Sequence, residues 1–444
     1  MRALGLVRPQ RQGELSLGPV SYLDCIVFCV FLAPQLVLQA GFFETVWCAL
    51  KALPFLSDQS KVAKLPAAVI YDRYLIPREE QSVFQRRASA FEDIVVRCMR
   101  YAFVNIPPRV GRVFLSREVS LPFLWFRLLR HGYPESPIHW REHCESGLRG
   151  IWLIKDPERR PDFALYYVHG GGFSMGSSYF YLEYLLTWLL TLSSAGYRNP
   201  AIFALEYTLV PECSFPTQVQ ETLRGYEYVL RMVQDPSIIC VSGDSAGATL
   251  ILCLLLHLGD ERANGPGEKQ SLAKFPGGAR PALAVLISPW VTLISTRHKN
   301  TTSDYLDVEQ LRRYGAQFAG GRISEMDPLV SPGCCKDIEW WKRSSPSTGF
   351  VIVYGTEEVL APEIEYLVEI LREAKVTVES KAELGGIHAW PVASLFLSGS
   401  RDGRREGLVT MTNEIRQLNS TIQRSNFNHG VYARDLVQLF LAVT

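Results

Sequence analysis

The sequence predicts an α/β fold, a mostly parallel central sheet with helices on both faces, preceded by an N-terminal membrane anchor. Three observations lead there. Charge-free runs rich in β-branched and aromatic residues, Phe163 to Val168 (FALYYV), Ser237 to Ser242 (SIICVS) and Phe350 to Tyr354 (FVIVY), have the composition of strands buried on both sides. The first two run into glycine turns and then into stretches of helical length, Tyr179 to Leu192 and Ala248 to Leu258, the alternation that parallel sheets require. Ahead of them, Cys25 to Phe43 carries no charge over 19 residues.

Taken from the amino terminus, residues 1–24 read as a polar segment, 25–43 as the anchor, 44–65 as a connector and 66–444 as the main domain. As a helix the anchor would reach ~28 Å, close to the ~30 Å of a bilayer core. Pro34, Gln35 and Gln39 interrupt its apolar character, so a re-entrant hairpin in one leaflet is the alternative to a crossing. The long region before it, and Leu38 and Ala40 as a poor small-residue site, argue against a cleaved signal peptide. Arg2, Arg8 and Arg11 precede it while Lys51 is the nearest basic residue after it, which favours a cytoplasmic N-terminus and a lumenal domain, in the endoplasmic reticulum. Sequons at Asn300 and Asn419 permit glycosylation there. Glu79 to His131 shows amphipathic helical patterns broken at Pro107-Pro108, and the charge-free Phe123 to Phe126 (FLWF) suits a lid lining or a surface that dips into lipid. Gly150 to Ile154 (GIWLI) reads as an edge strand, Asn264 to Gly278 as a surface loop, and Ser398 to Asn428 as a polar, partly helical tail.

Two strings carry the chemistry. GDSAG, Gly243 to Gly247, follows a strand and opens a helix; in a GxSxG elbow the turn pushes the Ser245 oxygen into the open, with Asp244 beside it. HGGGF, His169 to Phe173, follows another strand, and Gly170, Gly171 and Gly172 let the main chain turn its N–H groups toward one oxygen. A serine so exposed needs a base and a carboxylate to orient the base; behind a GxSxG elbow of this strand-turn-helix kind the order along the chain is serine, acid, histidine. Of the downstream histidines, His257 lies inside an apolar helix, His298 in a basic stretch that reads as surface loop, and His429 near the C-terminus with no strand before it. His388 follows the strand-like Thr377 to Leu384 and the turn Gly385-Gly386, where a base belongs. The acid should follow Phe350 to Tyr354, where Glu357 and Glu358 compete. Glu358 adjoins Val359 and Leu360, which can anchor it in the wall of the site, whereas Glu357 is expected to face solvent.

These strings make the chain similar to the hormone-sensitive-lipase branch of the α/β hydrolases, and within it to membrane-anchored arylacetamide deacetylases and fungal steryl acetyl hydrolases. HGGGF and GDSAG match the branch's two signatures. Glu206 to Glu212 (EYTLVPE) resembles its DYRLAPE segment, and Asp327 to Pro332 (DPLVSP) is another of its strings. The likeness runs from about Leu65 to Phe396, and Glu358 departs from the Asp the branch mostly carries. The resemblance implies an α/β-hydrolase fold with a helical cap from about 79–131 and 301–320. It also implies an oxyanion hole built from the N–H groups of Gly170, Gly171 and Ala246, and hydrolysis of a short-chain acyl ester of a hydrophobic, sterol-like alcohol.

Composition narrows the alternatives. At 444 residues, 47% hydrophobic and 20% charged, the chain can bury a large core. A net charge of +1 with no basic stripe argues against nucleic acid as a partner. The ten cysteines form no CxxC pair, several sit in apolar runs, and Cys334-Cys335 reads as two small apolar residues. His139, Glu142 and His143 spell the HxxEH zinc pattern. The segment lacks an apolar helical face and a third ligand, so no metal and no cofactor is expected. Two other classes share these residues, an acyltransferase using the same triad and a noncatalytic ligand receptor on the same fold.

Overall fold

The computed structural model describes residues 17–56, 65–260 and 280–419. Eight strands form one sheet: β1 His139–Glu145, β2 Leu148–Ile154, β3 Phe163–Val168, β4 Pro200–Leu205, β5 Ile239–Asp244, β6 Leu283–Ile287, β7 Gly349–Gly355 and β8 Val378–Glu383. Their spatial order is β1-β2-β4-β3-β5-β6-β7-β8, with β2 antiparallel to both its neighbours and every pair from β4 to β8 parallel. Alternation along β3 shows why a strand here must be apolar throughout. Ala164, Tyr166 and Val168 pack with the helices Thr217–Val233, Ala246–Leu258 and Ala361–Glu373, while Phe163, Leu165 and Tyr167 pack with Leu182–Ser194, Arg117–Arg130 and the helix over 401–419.

Several expectations shift. GIWLI is the second strand, and the edge is β1, formed by the HxxEH segment itself. In an extended strand His143 and Glu142 face opposite ways. His143 stacks on Tyr228 with ring centroids 4.2 Å apart, and Glu142 pairs with Arg117 at 2.8 Å. No cluster able to hold a metal ion occurs among the described residues. His298 is buried and not on a surface loop. The loop read at Asn264 to Gly278, and His429, lie outside the described residues.

The apolar N-terminal stretch is an α-helix, Tyr22–Gln35, continued by a π turn, Leu36–Ala40, and ended by Gly41 at φ +95°. Its 19 residues are long and apolar enough to cross a membrane by length and composition. Both ends rest on the main domain. Asp24 is fully buried against Arg127 at 3.3 Å and against Arg130, and Arg127 also holds Glu183 at 2.8 Å. Leu32 and Ala40 bury against Val110, Val113 and Val119, and Phe28 meets the FLWF segment at Phe123, centroids 5.2 Å apart. Phe123 of FLWF thus meets this helix, while Leu124 and Trp125 pack into the core of the main domain. Part of the expected connector is a second helix, Phe42–Leu56, whose Phe43, Trp47, Leu50 and Leu53 recur at helical spacing and are exposed. Tyr22, Ile26, Val30 and Leu38 of the first helix are likewise exposed.

The segments expected as cap meet each other. From the helix Ala90–Asn105, Arg100 donates to the carbonyls of Asp304 and Thr302, both at 2.6 Å, and Phe103 lies edge-on to Tyr314 of the helix Val308–Ala319. That helix covers HGGGF, with Phe318 stacked on Phe173 at 3.9 Å.

Candidate active site

Ser245 lies at the carboxyl end of β5, at φ +50°, a backbone region an L residue seldom occupies. The elbow is held by the Ser245 N–H on the Ile287 carbonyl at 2.9 Å and by the Trp290 N–H on the Ser245 carbonyl at 3.2 Å. Gly247 is required by contact: a Cβ there would stand 2.0 Å from the Val168 carbonyl oxygen, because the following helix passes directly over the end of β3.

Glu358 follows β7 and His388 follows β8, so both approach from the carboxyl edge that carries Ser245. The Glu358 carboxylate is 3.6 Å from His388 Nδ1 and accepts a hydrogen bond from Ser288 Oγ at 2.6 Å. Ser288 Oγ in turn accepts the N–H of Ala389 at 2.9 Å, and so links the carboxylate to the backbone beside the imidazole. All four side chains are buried, Ser245 at 7% exposure and His388 and Glu358 at 2%. Burial works against a charged imidazole, but the carboxylates of Glu358, Asp304 and Asp244 outweigh it and hold the His388 pKa above its ordinary value. An imidazole in that state is a stronger base when neutral and a better-stabilised cation once it has taken a proton.

Glu357 does not face solvent as expected. Its carboxylate accepts the N–H groups of Val83, at 2.7 Å, and Phe84, and the hydroxyl of Ser303, so it fastens the start of the helix Val83–Arg87 to the loop after β7. Its lone pairs serve that cap, whereas those of Glu358 face His388.

The expected hole needs one correction. The N–H of Gly170 donates to Asp244 Oδ1 at 2.9 Å, and Asp244 also takes the hydroxyls of Tyr167 and Tyr181, each at 2.7 Å. A donor so engaged cannot turn to a substrate oxygen. The N–H groups of Gly171, Gly172 and Ala246, by contrast, meet no acceptor among the described residues. Gly171, at φ +106°, and Gly172, at φ +60°, have the backbone that only glycine takes readily. His169 is fully buried, its pKa is pushed down to about 4 by that burial, and its ring stacks on Tyr207. A neutral imidazole wedged there shapes the loop.

Ser288 and Asp304 belong to this constellation and were not legible as motifs. Ser288 directly follows β6, at φ +42°, and Asp304 sits in the segment expected as cap. The only sequence signal was the Ser-Pro step after a strand-like run, which marks a turn and not a partner.

An elbow serine, a buried carboxylate beside an imidazole and free N–H donors on one sheet edge define a serine hydrolase of the α/β type. The chain belongs to the α/β-hydrolase fold family, whose model matches residues 165–392, just over half of it. An acetyl-hydrolase of Streptomyces hygroscopicus is 29% identical over 268 residues, 58% of this chain and 76% of that protein. Neutral cholesterol ester hydrolase 1 of Pongo abelii is 35% identical over 105 residues, 22% of this chain and 24% of that protein. Among solved structures, an esterase from the bacterial hormone-sensitive lipase family superposes with a TM-score of 0.54 at 22% identity, over 74% of this chain and 98% of that one, which shows the shared fold.

Proposed function

We propose that this chain is a serine carboxylesterase of the hormone-sensitive-lipase branch that removes short acyl groups from hydrophobic alcohols through an acyl-enzyme. Ser245 attacks the ester carbonyl, His388 takes its proton and returns it to the leaving alcohol, and Glu358 orients His388. The N–H groups of Gly171, Gly172 and Ala246 receive the oxyanion, each worth about 3 kcal/mol in the transition state. The observation that carries this reading is the division of labour in the glycine loop: Asp244 takes the Gly170 N–H, while the next two N–H groups and that of Ala246 meet no acceptor among the described residues. Names among its relatives, acetyl-hydrolase and cholesterol ester hydrolase, support a short acyl group and a sterol-like alcohol. Purified protein given a sterol acetate should release acetate and free sterol, followed by chromatography. Transfer of the acyl group to an added alcohol in preference to water would make it an acyltransferase instead, and neither product would leave ligand binding.

The apolar N-terminal helix supports membrane association, which brings the site to where such esters partition. We place the domain on the lumenal side of the endoplasmic reticulum. Because both ends of that helix touch the domain, an arrangement along one leaflet competes with the crossing that the arginine distribution favours. Asn300 is exposed, and a lumenal domain should carry an endoglycosidase-sensitive glycan there, seen as a mobility shift lost in Asn300→Gln. An unmodified Asn300 in membrane-bound protein would put the domain on the cytoplasmic face.

A further inference from the structure

The short strap Thr301-Thr302-Ser303-Asp304 runs between the loops that carry the proposed acid and base. Asp304 is fully buried. One carboxylate oxygen accepts the N–H of Val359, next to Glu358, at 2.9 Å. The other accepts the N–H of His388 at 3.0 Å and that of Tyr305 at 2.8 Å. The rest of the strap repeats the connection. Thr301 Oγ1 donates to the Glu357 carbonyl at 2.8 Å and accepts the Asp304 N–H at 3.0 Å, Ser303 bonds the Glu357 carboxylate, and Arg100 holds the carbonyls of Thr302 and Asp304.

We propose that Asp304 is a positioning residue, which fixes the acid loop and the histidine loop in one register by binding a backbone N–H from each. Neither loop has a regular element to hold it at this point, since β7 and β8 end before it and the helix Trp390–Leu397 begins after it. Asp304 also places a second carboxylate near His388, beyond that of Glu358. The charged and titratable groups facing His388 are Glu358 from the loop after β7, Asp304 and Tyr305 from the strap, and Asp244 from the end of β5. Arg100 faces the strap from the cap and opposes Asp304 in part. The segment expected as cap thus bears on the base through Asp304, at the His388 backbone, and through Tyr305, whose ring lies edge-on to the imidazole at 5.7 Å.

This inference rests on the triad proposed above, and the test keeps the two apart. The full-length chain is treated with a fluorophosphonate across pH, and the rate of Ser245 labelling is read by mass spectrometry. Asp304→Asn, nearly isosteric, turns an amide toward N–H donors and removes the charge. Labelling at pH 8 should slow by about tenfold to a hundredfold. The midpoint of the acid limb, which for the wild type should lie above the ordinary imidazole value near 6.5, should move down. Thr301→Val cuts the strap but keeps the charge, and should slow labelling while leaving the midpoint in place. Asp304→Asn protein labelled within about twofold of wild type at an unchanged midpoint overturns the proposal. If that variant does not fold, Asp304→Ser, whose hydroxyl is too short to reach the N–H groups of both loops, decides, and wild-type labelling rates there overturn the proposal equally. A wild-type chain that takes no label removes the triad reading itself.

Discussion

Replacing Ser245 with alanine is expected to lower ester turnover by about 10⁶, and with it to abolish fluorophosphonate labelling of the chain. The size of the effect follows from the geometry of the elbow. At φ +50° the chain holds a strained turn that presents the hydroxyl at the carboxyl edge of the sheet, in a site whose side chains are buried, Ser245 itself at 7% exposure. The oxyanion donors are backbone groups, so they survive the substitution, and a residual rate of about 10³ to 10⁴ over water should remain from them and from binding. His388→Ala should fall as far, because serine and base act as a unit and losing either removes the same step. Turnover by purified Ser245→Ala above about 1% of wild type would mean a different nucleophile. The melting temperature should move little, since alanine can occupy the turn about as well as serine. A large loss of stability would instead point to a structural role for the hydroxyl.

What was legible in the sequence and what was not divides by how far apart the partners lie. The elbow, the glycine loop and the assignment of His388 rest on short strings whose geometry is local, a strand followed by a turn that only certain residues allow. The strands β4 and β6 have no such string and are told only by brief apolar runs, Pro200–Leu205 and Leu283–Ile287. The role of Gly170 turns on a carboxylate 74 positions away that reaches back from the elbow to take its N–H, and no local pattern encodes that. The same holds for Glu357, whose partners Val83 and Phe84 lie more than 270 positions earlier, and for Asp304, which reads as an ordinary polar residue until the fold brings two loops to it. The amino terminus reads as an anchor from its apolar length, its interruptions at Pro34, Gln35 and Gln39 and the arginines before it, none of which is a tertiary contact. Hydropathy registers how long a segment is, but the buried ion cluster of Asp24, Arg127 and Glu183 arises from packing against a domain about a hundred residues downstream.

Glu358→Ala and Glu357→Ala should separate cleanly although the two residues are adjacent. Loss of the orienting acid in a triad costs about 10⁴ in turnover, and the Glu358 substitution should reach that order. It removes the charge that stabilises the imidazolium, and it also leaves the Ser288 hydroxyl without its 2.6 Å acceptor in a fully buried site. Glu358→Asp keeps the charge but shortens the arm by one methylene. Since the observed carboxylate already stands 3.6 Å from Nδ1, the shorter side chain should recover only part of the rate unless the loop follows it inward. Glu357→Ala should act on the fold instead. The N–H groups of Val83 and Phe84 would lose a charged acceptor, a loss of about 1 to 2 kcal/mol of the kind seen when a helix cap is removed, visible as a lower denaturation midpoint. Turnover per folded molecule should fall by no more than about tenfold, because Thr301 and Asp304 still grip the same loop through backbone atoms. Steady-state kinetics beside chemical denaturation of the two variants provides the comparison. Equal losses of turnover would mean that the loop after β7 works as a rigid whole and that Glu358 has no privileged part in it. The reverse order would transfer the acid's role to Glu357 and require the loop to turn over during catalysis.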